Sequence, residues 1–325
     1  MAEPARKRKL LLVSIGGTIS LEKDPHTGRS VPRLSAVELI EQTSLADSCE
    51  VRCIDAPVSL RTIRRPADLL ATVSFLQRHL QEDIAGVVVT HGTDTLEEVA
   101  YFFDEIFASR VPLVFTGAMR PGWTLDYDGI RNLENAMRIA AVATAEYGVL
   151  VTMHDEIFEA WSVYKADTTA LDGFTARRGA ATGHIINQTI ELPWRSAPRS
   201  RFGILPQTLP TSVPILTMGI GDDGAVLDRI AAGSIQGLVI AGMGAGSIPS
   251  SAQEKVLTLT QQGIPIVLCS SASSGPTAAE QYYPGDYDEL RAAGIVIENQ
   301  LNARKARMRL LLSIGLGTLY LPFGF

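Results

Sequence analysis

The strongest constraint on the fold is a series of unbroken apolar runs, the mark of strands buried on both faces of a parallel sheet. Leu10–Ile15, Val51–Asp55, Gly86–Thr90, Leu113–Thr116 and Val149–Met153 are such runs. Between them the period changes to that of amphipathic helices, over Pro66–Leu80 and Asp94–Phe107. In the second of these, Leu96, Val99, Ala100 and Phe103 share one face, and Ile130, Leu133, Met137 and Ala140 repeat the spacing further on. Asp94 followed by Glu97 predicts a capping box that opens the helix. Strands alternating with helices imply a parallel sheet with right-handed crossovers.

The alternation stops at Pro193–Pro210, where four prolines accompany few periodic apolar residues. It resumes over Pro214–Met218, Gly237–Ala241 and Pro265–Cys269, and ends in a helix from Asn302 to Ile314. The expected class is α/β: a larger N-terminal parallel-sheet domain over 1–192, a linker over 193–212, and a smaller C-terminal α/β domain over 213–325. A length of 325 residues accommodates two cores.

A net charge of −6 with no basic face excludes nucleic acid as the main partner. The one basic run, Arg6-Lys7-Arg8-Lys9, reads as a solvated arm. The apolar stretch after it is short and runs straight into Gly16-Gly17, without a small-residue cleavage site. No stretch is long enough to span a bilayer, so a cytoplasmic location away from membranes is the expectation. Cys49, Cys53 and Cys269 have no paired spacing and read as reduced structural thiols.

Two of the apolar runs end in a turn that carries a threonine. The first is Gly16-Gly17-Thr18, the second His91-Gly92-Thr93. Ligands of open α/β sheets bind where strands end, and glycine there gives a substrate room to approach. A threonine hydroxyl in such a place becomes a nucleophile only if a base takes its proton. Lys165, in Ser162-Val163-Tyr164-Lys165-Ala166-Asp167-Thr168 behind an aromatic segment, is a candidate base. From spacing alone Lys165 also reads as a surface lysine in a polar loop, Thr93 as a turn residue, and Asp94 as a helix cap. Gly242-Met243-Gly244-Ala245-Gly246 is similar to a phosphate-binding turn, but its spacing is not GxGxxG. The five histidines are scattered and give a metal site little support.

Taken together and in order, these segments resemble the bacterial-type L-asparaginase family. Ile15-Gly16-Gly17-Thr18-Ile19 is similar to its nucleophile turn, and Thr90-His91-Gly92-Thr93-Asp94-Thr95 to its second threonine motif. Thr116-Gly117-Ala118-Met119-Arg120-Pro121, Asp128-Gly129 and Asn132-Leu133 follow. The glycine turn at Gly242–Gly246 and Leu301–Arg307 match its C-terminal domain. The resemblance implies a threonine amidohydrolase that needs no metal or cofactor. Thr18 would be the nucleophile, with Thr93, Asp94 and Lys165 on the facing side of the carbonyl. Ser59, Gly92 and Asp94 would bind substrate, backbone N–H groups near Thr93 would hold the oxyanion, and a homodimer or homotetramer is expected. The implied substrate is L-asparagine, with another amide, or a lactam, as the alternative; a non-catalytic binding homologue is a third reading.

The chain departs from the family pattern at three places, each of which touches substrate recognition. No tyrosine occurs between Ser20 and Pro32, and Val31 stands near the place where the family carries one. Ser59 is followed by Leu60, where a polar residue is expected, with Arg61, Arg64 and Arg65 as nearby charges. The acidic residue expected to reach a neighbouring subunit is Glu280 or Glu289.

Overall fold

The computed structural model describes residues 8–45, 49–61, 63–107, 110–193, 200–278 and 285–324. Glu280, the side chain of Leu60, most of the basic N-terminal run and residues 194–199 of the proline-bearing segment lie outside them. Two compact units are present: Met1–Arg64 with Asp68–Ser196, and Arg65–Ala67 with Ala197–Phe325.

The first unit contains, in chain order, β1 (Lys9–Ser14), β2 (Leu21–Lys23), β3 (Ser30–Pro32), α1 (Ala36–Glu41), β4 (Glu50–Asp55), α2 (Pro66–His79), β5 (Gly86–Thr90), α3 (Leu96–Ile106), β6 (Leu113–Thr116), α4 (Gly129–Val142), β7 (Val149–Met153), β8 (Glu156–Glu159), β9 (Val163–Lys165), β10 (Phe174–Ala176), β11 (Gly183–Ile186) and β12 (Thr189–Glu191). Eight of the strands form one sheet, in the order β12-β11-β8-β7-β6-β5-β1-β4. β4, β1, β5, β6 and β7 are mutually parallel, and every residue of β5, β6 and β7 is buried. That burial is why these strands are apolar throughout.

The sheet is not wholly parallel, which corrects the expectation drawn from alternation alone. β8 returns antiparallel to β7, β11 pairs antiparallel to β8, and β12 antiparallel to β11. Both tight connections use two residues at positive φ, His154 and Asp155 at +48° and +63°, then Asn187 and Gln188 at +49° and +67°. This is the geometry of the hairpin turn whose twist suits its strands. Along one face, Leu10, Leu12, Val88 and Val114 pack on Leu39 of α1 and on Leu133, Ala136, Met137 and Ala140 of α4. α4 lies so near β5 that a Cβ on Gly86 would stand 2.2 Å from the Ala140 carbonyl oxygen.

The second unit contains β13 (Ile215–Thr217), α5 (Ala225–Ala232), β14 (Leu238–Gly242), α6 (Ser250–Gln261), β15 (Ile266–Ser270), α7 (Asp288–Ala292), β16 (Val296–Ile297) and α8 (Ala303–Leu316). Its four strands lie in sequence order and all run parallel. Asn302 caps α8 by accepting the Lys305 N–H at 3.0 Å, and Gly317 ends that helix at φ +64°. Burial pushes the Glu298 carboxyl above the usual carboxylate range, although backbone N–H groups of Phe323, Gln300 and Leu301 and the Tyr320 hydroxyl donate to it.

Candidate active site

Sheet register brings the two threonine turns together. Ser14 at the end of β1 is paired with Thr90 at the end of β5, and the Ile15 N–H donates to the Thr90 carbonyl at 2.9 Å. After β1 the chain turns through Gly16 and Gly17, both at φ +93°, a conformation that resists any L side chain. A Cβ on Gly17 would stand 2.5 Å from both Cα and N of Gly92, so the turns touch through their glycines. The turn after β6 closes the group: a Cβ on Gly117 would meet the His91 carbonyl oxygen at 2.6 Å and Cγ2 of Thr93 at 3.3 Å. Buried His91 bonds through Nδ1 to the Gly92 carbonyl at 2.7 Å, and its burial pushes the imidazole below the usual histidine range. It is therefore a neutral strut of the turn.

Thr93 is 6% exposed, and Lys165 Nζ lies 2.9 Å from its hydroxyl oxygen and 2.9 Å from Asp94 Oδ1. The side chain of Lys165 is 13% exposed and that of Asp94 93% exposed. The three groups thus run outward from a buried hydroxyl to an open carboxylate. Lys165 stands on β9, which forms a two-stranded antiparallel ribbon with β10, and its backbone N–H donates to Glu97 Oε2 at 2.9 Å. This corrects the capping-box reading. α3 begins at Leu96 with Thr95 at its cap and no side-chain cap bond, because Asp94 and Glu97 both turn to Lys165. A capping box does form, at Ser35 and Glu38 of α1.

Thr18 opens a 3-10 turn, Thr18–Ser20, and is half-buried. No hydrogen bond reaches its hydroxyl among the described residues. The turn is held through its backbone instead: the Ser20 hydroxyl donates to the Gly17 carbonyl at 3.0 Å, and the Tyr127 hydroxyl to the Ile19 carbonyl at 2.8 Å. No local sequence pattern singles out Tyr127. It stands more than a hundred residues from Thr18, and only the tertiary fold connects them. Burial, then the Asp128 charge, holds its phenol above the ordinary tyrosine value, so it is a donor at neutral pH. The segment after Thr18 is a hairpin of β2 and β3, in which Val31 pairs with Glu22.

Asp128 and Asn132 set the turn after β6. The Asp128 carboxylate accepts the N–H groups of Met119 and Arg120 at 3.0 and 2.9 Å. Asn132 Nδ2 donates to the Gly117 carbonyl at 3.1 Å and to Asp128 at 2.9 Å. These motif residues hold backbone in place.

Other candidates fall elsewhere. Ser59 is exposed on the short turn Val58–Leu60 that follows β4. The stem of Arg61 lies over Gly16, where a Cβ would be 3.6 Å from the arginine Cβ, and its Nε donates to the Ala56 carbonyl at 3.3 Å. Arg64 donates its backbone N–H to Asp68. Glu289 is exposed in the first turn of α7 and accepts Gln253 Nε2 at 2.8 Å. The turn Gly242–Gly246 is not a phosphate cradle. Met243 and Ser247 exchange backbone hydrogen bonds and the Gly246 N–H bonds to Met243, so those N–H groups are spent within the turn. Among the described residues no group of three or more His, Cys, Asp or Glu is arranged to hold a metal ion.

The family model for the N-terminal domain of asparaginase matches residues 9–198, and the model for the glutaminase/asparaginase C-terminal domain matches residues 212–319. A probable L-asparaginase of Deinococcus radiodurans is 33% identical, over 97% of this chain and 95% of its own length. An L-asparaginase of Bacillus licheniformis is 29% identical, over 93% of this chain and 94% of its own. The crystal structure of a probable cytoplasmic L-asparaginase from Campylobacter jejuni superposes with a TM-score of 0.80, at 28% identity and 95% coverage of both chains. With both domains matched in order and a relative one third identical along nearly the whole length, this chain belongs to the bacterial-type L-asparaginase family.

Proposed function

We propose that this chain hydrolyses L-asparagine to L-aspartate and ammonia, with Thr18 as nucleophile and Thr93, Lys165 and Asp94 as a proton relay opposite it. The observation that carries the reading is Lys165 Nζ bonded to both Thr93 and Asp94, in a turn packed glycine to glycine against the turn of Thr18. The Thr18 oxygen bonds to the amide carbon as the carbonyl electrons move onto its oxygen. The hydroxyl proton leaves through the relay, the amide nitrogen takes a proton and departs as ammonia, and the acyl group rests on Thr18 as an ester. Water then attacks that ester, releases the acid and returns the proton to Thr18.

The backbone N–H groups of Gly92 and Thr93, which have no acceptor among the described residues, suit the developing oxyanion. Each such donor is worth about 3–4 kcal/mol of barrier. The open carboxylate of Asp94 suits the substrate ammonium, and Ser59 its carboxylate.

The relatives' printed names support asparagine as substrate. An apolar Leu60 beside exposed Ser59 favours a second reading, an amide without a free α-carboxylate. Ammonia release from L-asparagine, L-glutamine and simple amides tests both. Turnover of asparagine above all others is expected; none from asparagine with turnover of another amide overturns the first reading. We further propose a cytoplasmic homodimer or homotetramer, to be checked by light scattering. Among the described residues no helix is long and apolar enough to cross a membrane.

A further inference from the structure

We infer that Glu97 is a positioning residue of this site: by accepting the backbone N–H of Lys165 it sets where Nζ stands against Thr93 and Asp94. The inference rests on the reading of Lys165 as part of the relay.

β9 and β10 are a short ribbon in which Lys165 lies opposite Phe174 and the Ala166 N–H donates to the Gly173 carbonyl at 2.8 Å. Backbone donors alternate in direction along an antiparallel strand, so the N–H of Lys165 points away from β10. A half-buried N–H on a ribbon edge needs an acceptor. Glu97 Oε2 is that acceptor, at 2.9 Å, from a residue only 2% exposed.

Glu97 stands in the first turn of α3, where the helix dipole favours a carboxylate. The turn that leads into the same helix carries Thr93 and Asp94. Lys165 is therefore attached twice to one short stretch of chain: its root to Glu97, and its tip, 2.9 Å from each, to Thr93 and Asp94. A lysine stem has four rotatable carbon links, and its tip is placed well only when its root is fixed. Burying a carboxylate is costly unless it is hydrogen-bonded, and this one accepts a bond at the root of the lysine.

The decisive comparison is between Glu97→Gln and Glu97→Asp. Glutamine keeps an acceptor oxygen at the same reach without the charge. Aspartate keeps the charge and withdraws the oxygen by one methylene. Positioning predicts that Glu97→Gln stays within about threefold of the parent kcat, while Glu97→Asp loses about tenfold or more with KM nearly unchanged, as a misplaced catalytic group does.

A second readout does not depend on turnover: amine labelling of Lys165 by trinitrobenzenesulfonate, followed by peptide mass spectrometry. Its rate is expected to change severalfold in Glu97→Asp and to hold in Glu97→Gln. Glu97→Ala replaces the aspartate variant if that chain does not fold. A Glu97→Gln protein worse than Glu97→Asp, or Lys165 labelling unaltered in a folded Glu97→Asp or Glu97→Ala protein, overturns the inference. If the parent protein releases no ammonia from any amide, the functional reading fails, and the labelling still decides the role of Glu97.

Discussion

The turns of Thr93 and Thr18 sit on neighbouring strand ends and touch through glycine, yet they are held in opposite ways. Thr93 is buried and its hydroxyl is already bonded to Lys165. Thr18 is half-buried with its hydroxyl unbonded among the described residues, while its backbone is pinned by Ser20 and Tyr127. In the proposed roles, a relay must have its partners in place before substrate arrives, whereas a nucleophile must keep its oxygen open to a carbonyl. The fold therefore completes one half and fixes only the frame of the other.

The largest expected effects break that contrast directly. Thr18→Val and Thr93→Val keep side-chain shape and remove the hydroxyl. Each is expected to lower kcat for amide hydrolysis by about a thousandfold or more, and Lys165→Met by about a hundredfold or more. Because residues that act as a unit are not additive, Thr93→Val with Lys165→Met should cost little more than the worse single change. Peptide mass spectrometry of quenched reactions should place the acyl group on the Thr18 peptide. An adduct on Thr93 instead would exchange the two roles.

Next in size is a test of the glycine contact. Gly17→Ala forces an L side chain to φ +93° and drives a Cβ to 2.5 Å from Gly92. Strain and overpacking together should cost about 2–5 kcal/mol, seen as a lower melting temperature and lost activity. Gly92→Ala is the matched control, since its Cβ would meet only Gly17 Cα, at an ordinary 3.6 Å. It should melt close to the parent. Equal damage from both would mean that neither the positive φ nor the close approach at Gly17 governs the contact.

What the sequence made legible follows the same division. Buried strands reveal themselves because both faces are apolar, so β5, β6 and β7 are read to the residue. Thr18, Thr93 and Asp94 are visible because each follows such a strand through glycine. Lys165 is visible only as a lysine behind an aromatic segment, a pattern it shares with surface lysines, since the ribbon that carries it lies far along the chain and has no periodicity of its own. The antiparallel β8, β11 and β12 are hidden because their turns, His154-Asp155 and Asn187-Gln188, reach positive φ without glycine. Glu97 reads as a cap in sequence because a capping box and a carboxylate aimed at a distant strand share one local pattern. Tyr127, the tyrosine that does touch the Thr18 turn, gives no local signal.

Tyr127→Phe comes third in size. It removes one hydrogen bond, to the Ile19 carbonyl, and leaves the ring against Gly129. About 1 kcal/mol of stability is expected to go with it. If the backbone of the Thr18 turn is held as argued, kcat falls a fewfold while the labelling rate of Lys165 holds. A change confined to KM would mean that Tyr127 serves substrate binding instead.

The smallest effect belongs to the hairpin that follows Thr18. At its tip Asp24 Oδ1 accepts the N–H of Thr27 at 2.7 Å, the Thr27 hydroxyl at 3.0 Å and the N–H of His26 at 3.0 Å. The Thr27 N–H, then its hydroxyl, holds the Asp24 carboxyl below the usual carboxylate range. The sign follows from that direction. A carboxylate with a depressed folded value stabilises the tip above its unfolded value, and loses that contribution as pH falls through the lowered one. Hydrogen exchange over residues 22–31, corrected for intrinsic rates, should therefore stay slow at neutral pH and speed up in acid, below about pH 4. Asp24→Ala should show fast exchange at every pH, with the global melting temperature almost unmoved. Asp24→Asn, whose amide oxygen still accepts, should stay protected in acid. Thr93 and Lys165, which share no bond with this tip, should be indifferent to all three conditions. If Asp24→Ala alters Lys165 labelling, the two halves of the site are coupled through the hairpin, and the contrast between a completed relay and an open nucleophile must be redrawn.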